Sequence, residues 1–284
     1  MKNMLLVLAV VLGLSSIVQG KETLRVLFLF DTTYAKYGYN DRRDISKNLT
    51  KQLNRSFKES GLSGRISFTK VGAVSANVSI SGSLNNSGSL INLYQKANTI
   101  KTRKATLPLH KLQKAYKADL VVTITKITNT CGVTTYLPNK GTFRSRKRSF
   151  EFADGGQIFI NNTSNCFNKK TLLAHEVGHT FGLWHGKAVK NKTGQSGHYE
   201  PRKAFRSYAN GFGDTDYLMN YGTIMAGSYL AGPGKGRDNK FSNPNSYSCG
   251  YYSDDEVCGD STANAVKFIK INARYYNMRG DWYK

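Results

Sequence analysis

One stretch constrains this chain more than any other: His175-Glu176-Val177-Gly178-His179-Thr180-Phe181-Gly182-Leu183-Trp184-His185. Two histidines four residues apart project from one face of a helix, so His175 and His179 can share one cation. Glu176 stands beside the first ligand, placed to reach a water on the metal rather than the metal itself. Gly182 permits the left-handed conformation that ends a helix sharply, and that turn brings His185 round as a third nitrogen. Three neutral imidazoles leave a fourth position open, which is the arrangement of a catalytic zinc and not of a structural one. One catalytic Zn2+ is therefore expected, although such a donor set also takes cobalt or manganese. Zinc lowers the pKa of a water, and Glu176 is the expected general base. Three of the chain's five histidines fall inside this stretch. Average residue usage makes a chance match about one in a hundred thousand. Solvated or core histidines without a metal are the plainer alternative, and five fixed residues in register weigh against it.

The chain opens with Met1-Lys2-Asn3, an apolar run from Met4 to Leu14, and Ser15-Ser16-Ile17-Val18-Gln19-Gly20. This has the form of a signal peptide over residues 1–20, since the apolar run is far shorter than the roughly 20 residues that span a bilayer. Export, to the extracellular space or a periplasm, is the expected localisation. Four cysteines, Cys131, Cys166, Cys249 and Cys258, suit an oxidising compartment. Three connectivities exist, and Cys131–Cys166 with Cys249–Cys258 is favoured because each closes a local loop. No spacing resembles a cysteine metal site.

The net charge is +23, with basic clusters at Lys101 to Lys104, Arg144 to Arg148, Lys187 to Lys192 and Arg202 to Arg206. Such a balance suits anionic surfaces or acidic substrates, and equally a solvated basic exterior. No aromatic-basic module accompanies it, so specific nucleic-acid binding is not expected.

Leu24 to Phe30 reads as a buried first strand ending at Asp31, and about Asp41 to Ser60 as an amphipathic helix. Ile45, Leu49, Leu53 and Phe57 recur at helical spacing, with Gly61 at the C-terminal cap position. Arg65 to Val71 alternates as a second strand, about Ala76 to Ser89 is a Ser/Asn/Gly-rich loop, and Ala118 to Thr125 is a third strand. Helical segments are expected near Leu90 to Lys96 and Leu107 to Lys117. Strand, helix, strand, helix, strand implies right-handed crossovers and a mostly parallel sheet. Cys131 to Leu137 and Phe150 to Ile160 read as further strands, one pairing antiparallel at the edge. The site helix covers Lys169 to about Leu183, and a last helix about Thr262 to Arg279. The fold class is α/β: a mixed, mostly parallel twisted sheet with an antiparallel edge strand and an irregular C-terminal part ending in a helix. Residues 21–284 are expected to form one catalytic domain, with 21–185 as an upper lobe and 186–284 as a lower one.

Gly222-Thr223-Ile224-Met225-Ala226-Gly227 lies about 40 residues beyond His185. After that histidine pattern it resembles the tight turn whose methionine sits beneath the metal in metzincins. The chain as a whole resembles that clan, most closely the reprolysin (adamalysin-like) group and its bacterial secreted relatives. Ser60-Gly61-Leu62, Ala118 to Val122, Cys131-Gly132-Val133, Thr171 to Ala174, Phe241 to Pro244 and Gly259-Asp260 occur in that group's order, so the likeness runs from about Leu24 to Arg279. It implies that the fold is of the α+β zincin type. It also implies the three histidine ligands, Glu176 as base, Met225 as turn residue and a substrate strand adding antiparallel at Val133, Thr134 and Thr135, an edge running on to Leu137. The chain departs from the group at Gly186, where reprolysins commonly carry Asp, and at Gly227, where some metzincins carry a zinc-binding Tyr; Tyr229 stands nearby.

The implied activity is that of a secreted zinc endopeptidase, cleaving internal peptide bonds of protein or peptide substrates as a monomer. The first strand starts a few residues after the expected cleavage, so export without an inhibitory pro-segment is expected. Two other readings compete: a non-catalytic binding or adhesion protein on the same fold, and a zinc amidase acting on cell-wall material. A Ca2+ site is considered at Asp254, Asp255, Glu256 and Asp260, an acidic cluster of the kind solvated loops also carry.

Overall fold

A computed structural model describes residues 20–32, 36–76, 112–127, 131–134, 157–167, 169–185, 208–209, 211–214, 221–226, 239–247, 249 and 257–277. Five strands form the main sheet: β1 (Glu22–Asp31), β2 (Ile66–Ala76), β3 (Leu120–Thr125), β4 (Gly132–Thr134) and β5 (Gln157–Asn161). Their order is β2-β1-β3-β5-β4. All neighbours run parallel except β4, which pairs antiparallel with β5 at the edge. This is the mixed, mostly parallel α/β sheet with an antiparallel edge strand that the sequence leads one to expect.

Side chains alternate across a strand, and two apolar layers result. Leu24, Val26, Phe28 and Phe30 face a large core with Val122, Ile124, Ile158 and Ile160. Leu27, Leu29, Val121, Phe159 and Val133 face a smaller one on the other side. Burial on both faces explains why β1 and β3 read as continuous apolar runs.

Helix α1 (Tyr39–Glu59) lays Leu49, Leu53 and Phe57 on the larger core, with Ile45 partly buried beside them. The Phe57 ring meets Phe68 at 4.7 Å, Phe241 at 5.1 Å and Phe181 at 6.0 Å between centroids, all edge-on, the geometry ring quadrupoles favour. Gly61, at φ +68°, turns the chain out of the helix. The short helix α2 (Ser164–Phe167) and the site helix α3 (Leu172–Thr180) follow β5. A small ribbon, β6 (Gly213–Asp214) with β7 (Tyr221–Gly222), precedes the methionine turn. The last helix, α4 (Ala265–Asn277), buries Val266, Phe268, Ile269 and Ala273 in the same core as α1. Its start is set by Asn264, whose side-chain oxygen accepts the Lys267 N–H at 2.9 Å.

β1 ends at Asp31, as expected, but takes it in as its last residue: the aspartate is buried and accepts the Thr125 hydroxyl at 2.7 Å. β2 outruns the sequence expectation, continuing past Val71 to Ala76 through a bulge opposite Val26 and Leu27. Gly72 is where the Tyr116 ring presses on the strand: a Cβ there would lie 2.7 Å from it. The loop at Ala76 to Ser89 falls outside the described residues beyond Ala76, as do the helix at Leu90 to Lys96 and the four basic clusters. Among the described residues no helix is long and apolar enough to cross a membrane. Cys131 pairs with Cys166 and Cys249 with Cys258.

Candidate metal centre

Helix α3 is buried along its whole length, which its run Leu172-Leu173-Ala174 and its lack of surface charge allow. It ends in a double turn of hydrogen bonds. The Gly182 N–H donates to His179 O at 2.9 Å and the Leu183 N–H to Gly178 O at 3.0 Å. Gly182 stands at φ +89°, the left-handed residue that this ending requires. The next residues are then held by main chain. Trp184 N–H donates to Ala209 O at 2.9 Å, and Gly211 N–H to Trp184 O at 3.0 Å, which fixes the backbone that carries His185.

The result is a near-equilateral triangle of ring nitrogens. His175 Nε2 lies 3.2 Å from His179 Nε2, and His185 Nε2 lies 3.1 Å from each. On the far side of two rings stand main-chain carbonyls: His175 Nδ1 to Ile224 O at 2.7 Å and His179 Nδ1 to Leu183 O at 3.0 Å. A carbonyl only accepts, so both Nδ1 atoms carry the proton and both Nε2 atoms present lone pairs. Two buried lone pairs at such a distance repel unless a cation lies between them. A tetrahedral site with these edges has ligand distances of about 1.9 Å, close to the zinc–imidazole value. The donor set therefore fits a divalent cation, typically zinc. These are also the residues that form a group able to hold a metal ion among the described ones.

Glu176 is 4% exposed, although it sits at a centre meant to meet substrate. The Thr134 hydroxyl lies 2.7 Å from its Oε2 and 2.9 Å from its main-chain oxygen. A Cβ on Gly132 would come within 2.6 Å of its Oε1. Met225 is fully buried beneath the helix, and Gly178 makes room for it: a Cβ there would lie 2.4 Å from the methionine sulfur. The turn itself closes with Ala226 N–H on Thr223 O at 2.8 Å, and Ile224 N–H donates to Lys240 O at 2.9 Å.

Of the residues singled out in the sequence, the structure gathers His175, His179, His185, Glu176, Met225 and Thr134. Val133 points to the opposite side of the sheet and is buried in the smaller core. Thr135 and the acidic residues Asp254, Asp255 and Glu256 lie outside the described residues; the Asp260 carboxylate instead accepts the Thr262 N–H and hydroxyl at 2.6 and 2.7 Å. Sequence reasoning missed Gly132 and Gly178. The period-two spacing of Gly132 and Thr134 was the available signal for the first; nothing local marks the second.

A donor set of two buried imidazoles and a half-buried third, with an adjoining carboxylate, at a helix packed against a mixed sheet, defines a metal-dependent hydrolase centre. Residues 45–247 match the model of the reprolysin-like metallopeptidase family M12B, and the chain belongs to that family. No curated protein matches it. Among solved structures, one described as a chaperone–substrate complex is 16% identical with a TM-score of 0.59, covering 91% of this chain and 35% of its own. The chain thus spans about a third of that protein, and the likeness concerns the fold. Metalloproteinase-II from Bacteroides fragilis is 14% identical over 69% of this chain and 51% of its own, with a TM-score of 0.37. Archaemetzincin from Methanopyrus kandleri is 10% identical over 58% and 76%, with a TM-score of 0.27. TM-scores at that level leave both as remote resemblances.

Proposed function

We propose that this metallopeptidase is an exported zinc endopeptidase in which His175, His179 and His185 hold the metal and Glu176 is the general base. The reading is carried by the triangle of imidazole nitrogens with the buried Glu176 carboxylate beside it. Zinc, when bound there, supplies the Lewis acidity that makes a water acidic and a peptide carbonyl electrophilic. Glu176 takes the proton of the attacking water on its carboxylate and returns it to the nitrogen of the leaving amine. Ile224 O and Leu183 O hold His175 and His179 in the tautomer that faces inward. Met225 packs under α3 and keeps the helix and the turn that carries Ile224 in fixed relation.

Among the described residues β4 is the edge of the sheet, with β5 on one side, so a peptide in extended form can add antiparallel to its other side. Recognition through main chain suits an endopeptidase, because it does not require a substrate terminus. The leader-like residues 1–20 and the two disulfides support export. Residues 21–284 are taken as one catalytic unit, with 21–185 and 186–284 as its lobes.

The test is cleavage of a denatured general protein substrate by the zinc-loaded chain, with and without chelator, beside Glu176→Ala. Loss of cleavage in both controls supports the reading. Cleavage by Glu176→Ala at the wild-type rate would sink the assigned base, and release of wall fragments without protein cleavage would favour an amidase.

A further inference from the structure

The base has three side-chain torsions of its own, and a place next to a metal ligand on a helix does not fix where its carboxylate points. In this chain a different element does so. Gly132 and Thr134 lie two apart on β4 and therefore share a face, the one turned toward α3. Thr134 is 3% exposed, and its hydroxyl has one proton with two acceptors in reach, Oε2 at 2.7 Å and the Glu176 main-chain oxygen at 2.9 Å. The ionised carboxylate is the stronger acceptor of the two. A β-branched residue in a strand is stiff at χ1, so the hydroxyl is itself held in place. Gly132 bounds the other oxygen, since any Cβ there would stand 2.6 Å from Oε1.

We infer that Thr134 is a positioning residue for Glu176, with Gly132 leaving the space in which the carboxylate lies. The inference rests on the peptidase reading of the centre and adds to it. The strand that offers its edge to a substrate backbone is also the seat of the base, so the two are held in one register. In this role each residue acts through Glu176.

The experiment compares Thr134→Val, Thr134→Ser and Glu176→Gln in the full, zinc-loaded chain. It reads kcat and KM on one cleavable peptide, zinc content, Tm, and the Glu176 side chain in a crystal structure of Thr134→Val. Valine keeps the shape and puts a methyl, which cannot donate, where the hydroxyl stood. It is expected to lower kcat about 10- to 100-fold, as a misplacement of about 1 Å does. KM, zinc content and Tm should stay near wild type, with the Glu176 carboxylate turned away or spread over several positions. Serine should restore kcat to within a few-fold. Wild-type kcat in Thr134→Val, a serine variant as slow as valine, or an unmoved Glu176 carboxylate in the crystal would each overturn the inference. Undiminished activity in Glu176→Gln sinks the base assignment separately, and the crystallographic position of the carboxylate still decides whether Thr134 holds it.

Discussion

The sheet with α1 and the chain that follows His185 are stabilised in different ways. The first is held by bulk: Phe28, Phe30, Phe57 and Phe159 are fully buried, and the strands pair over long registers. The second, among its described residues, lends α4 and Phe241 to the larger core, and is otherwise held by strands of two residues, a disulfide cluster of Cys249 and Cys258 with Phe212 against it, and buried hydroxyls that serve the main chain. Ser242, fully buried, accepts the Ala265 N–H at 3.0 Å; the Thr223 hydroxyl accepts from Phe212 N and donates to Phe212 O at 2.9 Å each. The metal centre needs both kinds of support. Two ligands come from a helix pressed into the bulk core. The third, together with the carbonyl that orients the first, comes from chain held by hydrogen bonds.

Breaking the bulk should cost most. Phe57→Ala removes a ring that touches Phe68, Phe181 and Phe241, and should lower stability by about 3–5 kcal/mol in urea denaturation. An effect below about 1 kcal/mol would mean that the two parts do not share this core. Next come the disulfides. Replacing Cys131 and Cys166 by serine opens a loop with a sequence separation of 35 and should cost about 4 kcal/mol by chain entropy. The same change at Cys249 and Cys258, with a separation of 9, should cost about 2.5 kcal/mol. The reverse order in thermal unfolding would show that the C-terminal part depends on its staple more than loop length allows.

Gly178→Ala forces a methyl onto the Met225 sulfur and should cost about 1–3 kcal/mol by overpacking. Zinc affinity should fall with it, measured by competition with a chromophoric chelator; unchanged affinity would uncouple the turn from the ligands.

The smallest effect is at the seam between the two parts. Burial pushes the Glu59 carboxyl up, but hydrogen bonds from Arg55 and Asn239 outweigh it and hold it below the ordinary range. A depressed carboxylate contributes stability above its unfolded pKa and loses it as pH falls through the folded one. Between about pH 5 and 3, wild type should therefore lose slightly more stability than Glu59→Gln. Parallel curves would remove Glu59 from the seam, where Asn239 donates to its Oε2 at 2.8 Å and also meets Ser56.

This contrast also explains what the sequence disclosed. The spacing of Leu49, Leu53 and Phe57 and the apolar run Leu24 to Phe30 report burial, which is periodic and local, and the sheet and α1 could be read from them. The histidine pattern reports a shared face and a sharp helix end, so the three nitrogens could be placed as well. The reach of β2 past Gly72 was hidden, because the contact that permits it comes from Tyr116. The seat of Glu176 was hidden for the same reason: Gly132 and Thr134 look like any edge strand until α3 is laid against them.

The spacer positions of the histidine pattern are commonly taken as free letters, carrying no information beyond their number. At position 178 that freedom is gone, since every side chain other than hydrogen collides with a residue 47 places later in the chain. A symbol left open in the short pattern is thus closed by a distant one, and the two together spell a longer word than either. A larger residue at 178 is therefore expected to cost less where 225 carries a smaller one than beside Met225.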